Sequence, residues 1–214
     1  MRIGASTSLD GTSSLRENTT FAVLAGGFSR RMGQDKALLP LGGEPLIQRI
    51  LGRGRLITDH QLVITNHPEA YSFLNVPLVR DMLEIQGPLV GLYTALCISQ
   101  TPYLILTGCD MPWINPELLV YQLQLVHYEA WDVVIPKHEG TFEPLHAVYR
   151  RDTCLKAVET ALEVGDRSLV GWLSRVRVRE IGEDEVHHFD PTLRCFLNLN
   201  TPDEYHSMMT QINQ

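Results

Sequence analysis

Thr20-Phe-Ala-Val-Leu-Ala-Gly-Gly-Phe-Ser-Arg-Arg-Met-Gly-Gln-Asp-Lys36 passes from a short apolar run directly into a glycine-rich, basic loop. Residues 20–24 are too few for a helix and end at turn-forming residues, so they predict a buried strand. A loop of this composition at the carboxyl end of such a strand lies where a doubly wound sheet opens its ligand crevice. Gly26 and Gly27 lack a Cβ, which lets backbone N–H groups approach phosphate oxygens, and Gly33 extends that freedom. Arg31 and Lys36 add charge, one as a planar fork and the other as a compact point. A P-loop is excluded because the lysine follows Asp35 and precedes Ala37, and the adjacent Gly26-Gly27 pair does not supply a dinucleotide-binding G-x-G-x-x-G. The alternative is a glycine-rich turn with solvated arginines.

The same alternation continues toward the C-terminus. Short apolar runs predict strands at 20–24, 61–65, 76–79, 103–107, 132–135, 146–149, 176–181 and 194–199. Segments of helical period predict helices at 45–53, 88–99, 116–127, 153–164, 168–174 and 201–210. Pro45, Pro88, Pro116 and Pro202 stand where first helical turns begin. This pattern predicts a three-layer α/β/α, doubly wound, mainly parallel sheet. Residues 136–144 interrupt it with charged turn formers and predict a loop over the site. With no repeat and no linker, the chain divides into a flexible N-terminal tail, 1–19, and one domain, 20–214.

Composition limits the partners. The chain has 214 residues, 44% hydrophobic and 20% charged, and 18 basic against 25 acidic residues leave a formal charge of -7. Nucleic-acid and anionic-membrane binding are therefore not expected, and an anionic ligand needs a local basic cluster. The four cysteines are widely spaced and fit neither a disulfide framework nor zinc spacing. No apolar run approaches the roughly 20 residues of a membrane span, and no secretory signal is evident. A cytoplasmic location is the expectation.

Two further segments carry chemistry. The run 103–107 delivers Gly108-Cys-Asp-Met-Pro112 to the same sheet edge as the glycine-rich loop. A carboxylate beside phosphates requires a cation between them, which makes Asp110 the candidate Mg²⁺ ligand; its alternative is a turn or helix-capping aspartate. Phe196-Leu-Asn-Leu-Asn-Thr-Pro-Asp-Glu204 puts Asn198 and Asn200 on one face of a predicted strand. Taken alone, Asn66 and Asp81 read as turn formers. Arg175, Arg177 and Arg179 alternate as on a solvated strand edge.

The loop resembles the L-A-G-G-x-S-x-R-M-G-x-D-K signature of molybdenum cofactor guanylyltransferases, the MobA family, at every fixed position. The C-D-M-P, G-P-L-x-G (residues 87–91) and N-x-N-T-P (198–202) segments resemble further elements of that family. The resemblance implies a nucleotide-diphospho-sugar transferase-like, Rossmann-like fold and transfer of GMP from GTP to Mo-molybdopterin with Mg²⁺. It assigns Leu24, Ala25 and Gly26 to the nucleotide, Arg31, Gly33 and Lys36 to phosphates, and Asn66 and Asp81 to the nucleotide and its base. Arg31, Lys36 and Asp110 are the implied catalytic residues. Asn198 and Asn200 follow as candidates for metal, phosphate or pterin contact, and Arg167 for an acceptor phosphate. Glu143-Pro-Leu-His-Ala147 matches a segment near the cofactor half of the cleft, with no role for His146. Transient contact with molybdenum-insertion proteins or molybdoenzyme chaperones is also implied. The alternatives are a cytidylyltransferase or sugar-nucleotide pyrophosphorylase of the same fold, and a non-catalytic nucleotide-binding homologue.

Overall fold

The structure is a computed structural model that describes residues 9–26, 35–201, 203–205 and 208, with the backbone alone for 9–12. Arg31, Gly33 and Pro202 lie outside the described residues. In chain order the elements are α1 (Leu9–Glu17), β1 (Thr19–Leu24), the small hairpin β2 (Pro40–Leu41) and β3 (Glu44–Pro45), α2 (Leu46–Arg55), β4 (Gln61–Ile64) and β5 (Leu78–Val79). There follow α3 (Pro88–Ile98), β6 (Tyr103–Gly108), α4 (Pro116–Tyr128), β7 (Val133–His138), β8 (Thr141–Phe142), β9 (His146–Arg150), α5 (Arg151–Glu163), β10 (Val178–Ile181) and α6 (Glu183–Val186).

The main sheet runs β10-β7-β9-β6-β1-β4-β5, with β8 paired to the end of β7. Strand β1 is parallel to both neighbours, aligning Leu24 with Ile64 on one side and Gly108 on the other. Its apolar residues divide between two cores: Phe21 and Val23 pack with α2 and α4, while Ala22 packs with α3 and α5. That alternation is the period of two expected of a strand covered on both faces. The chain leaves β1 toward β4 and returns on the other side to β6, so the order reverses at β1. The crevice therefore opens at the carboxyl ends of β1 and β6. Strand β9 departs from the parallel pattern, running antiparallel to both β6 and β7.

Four expectations need correction. Residues 9–17, expected in a tail, form α1, with Leu15 buried. Arg16 ties this helix down by bonding the carbonyls of Arg55 and Leu56 and pairing with Asp59. Residues 194–199, expected as a strand, form a 3₁₀ turn, Arg194–Phe196, followed by an extended segment. The cause is Asp190, whose carboxylate accepts from the N–H groups of Thr192 and Cys195 and winds the chain before a strand can start. Residues 168–174 form turns and a 3₁₀ turn, Leu173–Arg175, because the Asp166 carboxylate accepts from Ser168 N–H and sets a turn there. Residues 136–144 are largely a β7–β8 hairpin, with Glu139 and Gly140 supplying the two left-handed positions of its turn. No helix among the described residues is long and apolar enough to cross a membrane.

Candidate active site

The crevice is built from strand ends. Beyond Leu24, Ala25 is buried and donates its N–H to Ile64 O at 2.8 Å, while Cys109 N–H returns to Leu24 O at 3.0 Å. These bonds carry the sheet pairing one residue past the strands and stiffen the rim. Gly26 is exposed, with open space where a Cβ would stand, and is not among the glycines of positive φ. The positive φ expected of this glycine is thus not adopted.

Lys36 opens the 3₁₀ turn Lys36–Leu38, capped by Asp35, whose Oδ1 accepts from Ala37 N–H at 3.0 Å. Its Nζ donates to Asn200 Oδ1 at 2.9 Å and lies 3.9 Å from Asp110 Oδ2. The structure thus brings together three residues from three distant segments. Asp110 follows β6, and Leu199 N–H donates to Asp110 O at 2.9 Å, drawing the C-terminal segment to the carboxylate. Gly108 leaves room for this carboxylate: a Cβ there would sit 2.7 Å from Asp110 Oδ1, and the side chain would have to turn away. Burial raises the Asp110 pKa above its ordinary value, and the Lys36 charge opposes that rise.

Asn200 is held from the other side. Glu204 Oε2 accepts from the N–H groups of Asn200 and Thr201, while Thr201 Oγ1 accepts from Glu204 N–H. This reciprocal capping box starts the final helix, of which residues 203–205 and 208 are described. The Asn198 amide donates instead to Phe196 O at 3.4 Å.

A second pair lies at the β4–β5 end. Asn66 Nδ2 donates to Asp81 Oδ2 at 2.8 Å, and Asp81 N–H donates to Asn66 Oδ1 at 3.1 Å. Asp81 Oδ1 is buried without a hydrogen-bond partner, an unusual state for a carboxylate oxygen. Arg167 sits beside the start of α3, where Leu89 N–H reaches Arg167 O at 3.4 Å. Gly87 adopts φ +143°, and a Cβ there would stand 3.1 Å from Arg167 Cβ. The Arg167 Nη1 is engaged by the carbonyls of Leu162 and Asp166. Arg167 is thus placed at the N-terminal end of α3.

Sequence reasoning overlooked Glu204 and Tyr71. The Thr201-x-x-Glu204 spacing was a visible signal for the first; for Tyr71, whose hydroxyl donates to Asp35 Oδ2, local sequence holds none. Among the described residues no group of three or more His, Cys, Asp or Glu side chains could by itself hold a metal ion. Asp110 and Asn200 nevertheless each present a hard oxygen atom within 4 Å of the Lys36 ammonium, at 3.9 and 2.9 Å. That donor set suits Mg²⁺ when substrate phosphates complete the shell.

The family model for the MobA-like NTP transferase domain matches residues 21–178. A protein of Carboxydothermus hydrogenoformans named probable molybdenum cofactor guanylyltransferase is 34% identical over 193 residues, covering 90% of this chain and 96% of the relative. The molybdenum cofactor guanylyltransferase of Syntrophotalea carbinolica is 32% identical over 189 residues, covering 88% and 90% of the two chains. Among solved structures, molybdopterin-guanine dinucleotide biosynthesis protein A from Archaeoglobus fulgidus superposes with a TM-score of 0.80 at 26% identity, covering 91% of this chain and 98% of that one. The 4-diphosphocytidyl-2C-methyl-D-erythritol synthase of Anaerococcus prevotii, at 11% identity and TM-score 0.70, shares the fold. A glycine-rich loop and an aspartate at adjoining strand ends, on a chain that matches this family over most of its length, make it a member of the MobA-like NTP transferase family of nucleotidyltransferases, that of the molybdenum cofactor guanylyltransferases.

Proposed function

We propose that the chain transfers GMP from GTP to Mo-molybdopterin, giving Mo-molybdopterin guanine dinucleotide and diphosphate. The convergence of Lys36, Asp110 and Asn200 beyond the carboxyl ends of β1 and β6 carries this reading, because it brings one cation within 4 Å of two hard oxygen atoms, at 2.9 and 3.9 Å. A terminal phosphate oxygen of the acceptor forms a bond to the α-phosphorus of GTP, and the bond from that phosphorus to the bridging oxygen of diphosphate breaks. The acceptor is already an anionic nucleophile, so the protein's work is alignment and charge neutralisation. Lys36 neutralises charge on the leaving diphosphate, with Arg31 and Gly33 assigned beside it from the sequence. Asp110, with Asn200, would hold Mg²⁺, which would supply positive charge to offset that of the phosphates.

The backbone at Leu24, Ala25 and Gly26 borders the nucleotide. Asp81, braced by Asn66, accepts from guanine N1 and N2, and its unpartnered buried oxygen supports that reading. Arg167 and Asn198 are assigned to acceptor phosphate and pterin. Molybdenum-insertion proteins or molybdoenzyme chaperones are the proposed transient partners.

The test supplies each of the four nucleoside triphosphates with Mg²⁺ and molybdenum-loaded molybdopterin, then measures diphosphate and identifies the dinucleotide. GTP alone should yield product, and Lys36→Ala or Asp110→Ala should lower the rate by about a thousandfold or more. Product from CTP instead, or wild-type rates in either variant, would overturn the reading.

A further inference from the structure

Lys36 has four rotatable side-chain bonds, so where its ammonium meets a phosphate depends on how firmly the backbone before it is held. Asp35 immediately precedes it, and both oxygens of that carboxylate are engaged. Oδ1 accepts from Ala37 N–H, and Oδ2 accepts from the Tyr71 hydroxyl. Tyr71 is 1% exposed and ends the 3₁₀ turn Pro68–Tyr71, which begins two residues after Asn66. A single buried ring therefore connects the turn beside the Asn66–Asp81 pair to the segment bearing Lys36. The arrangement also deals with a charge problem. A free carboxylate one residue before a phosphate-binding lysine would compete for its ammonium and repel phosphate; with both Asp35 oxygens occupied, Lys36 reaches Asn200 and Asp110.

We propose that Tyr71 is a positioning residue, whose buried hydroxyl fixes the Asp35 carboxylate as the cap of the Lys36–Leu38 turn and so sets where Lys36 meets the triphosphate. The inference rests on the phosphate-handling role given to Lys36 under the proposed function. Burial and the Asp35 charge push the Tyr71 hydroxyl above its ordinary range, so it remains a protonated donor throughout the working pH range. Without it, a half-buried carboxylate oxygen loses its donor and the cap loosens.

The test compares the full chain with Tyr71→Phe, which removes one oxygen and keeps the ring. Native-state hydrogen exchange should speed up about tenfold at the Ala37 amide, while Ile50 and Leu51 amides in α2 keep wild-type rates. Affinity for inorganic tripolyphosphate with Mg²⁺ should fall about five- to twentyfold. In a Lys36→Ala background the same change should cost less than about twofold, since a residue acting through Lys36 has nothing left to position. Equal losses in both backgrounds, or acceleration of all three amides together, would mean that Tyr71 is only structural and would overturn the proposal. The exchange arm uses no nucleotide and the binding arm no base. A donor other than GTP would thus sink the proposed function and leave this result readable.

Discussion

Asp110 is held in a state that costs the fold something. Burial raises its pKa, with Lys36 only partly offsetting the effect, so the folded chain holds a proton there more readily than the unfolded chain does. Such a group favours the fold at low pH, and that advantage is lost as pH rises from the unfolded carboxylate value through the raised one. Asp110→Asn should therefore be inactive yet more heat-stable than wild type at neutral pH, by roughly a few degrees, with the difference vanishing at strongly acidic pH. Thermal unfolding at both pH values checks this; a variant less stable at neutral pH would contradict it. Lys36→Met removes the opposing charge, so the Asp110 carboxyl signal in a carbon-detected NMR titration should move to still higher pH. The chemistry of both residues was legible in the sequence, since a lysine after a glycine-rich loop and an aspartate after a buried strand each have few other uses. Their partner Asn200 was legible only as a residue type, because nothing local specifies a hydrogen bond across 164 positions.

Elements differ in how far local signals specify them. Helices α3 and α4 begin at Pro88 and Pro116, so proline placed them correctly from sequence, and Asn115 caps α4 by accepting from Leu118 N–H at 3.0 Å. Helix α1 has no such signal. Its Gly, Thr and Ser residues are poor helix formers, and it is held by Leu15 in the core and by Arg16 on the end of α2. Leu15→Ala should cost about 2 kcal/mol, the lower end for a buried leucine, as read by urea unfolding. No loss of stability would restore the reading of this segment as a tail. Residues 194–199 fail in the opposite sense: alternating apolar residues imitate a strand, and the Asp190 carboxylate overrides them.

For the whole molecule, one built-in acid sensitivity lies at His146, the first residue of β9. It is fully buried, Asn115 N–H donates to its Nε2 at 3.1 Å, and Nδ1 has no partner. Burial lowers its pKa from 6.5 to about 4. The unfolded chain therefore takes up a proton near pH 6.5 that the folded chain refuses until about 4. Stability is complete above 6.5 and declines as pH falls through that window, by on the order of 3 kcal/mol. His146→Gln, which can accept from Asn115 without titrating, should flatten this part of the pH–stability curve in urea unfolding; an unchanged slope would assign the sensitivity elsewhere. By itself the sequence determined the alternation of strand, loop and helix, the glycine-rich loop at a strand's carboxyl end, and the candidate carboxylate at the neighbouring one. Hydrophobic period, proline and glycine act within a few residues, so these features can be read from the chain itself. Only the tertiary structure decided that β9 runs against its neighbours, that Asn200 and not Asn198 meets Lys36, and that Tyr71 anchors Asp35. Those are choices among distant partners, made when two packed cores close around the sheet and the remaining buried polar groups must find donors and acceptors.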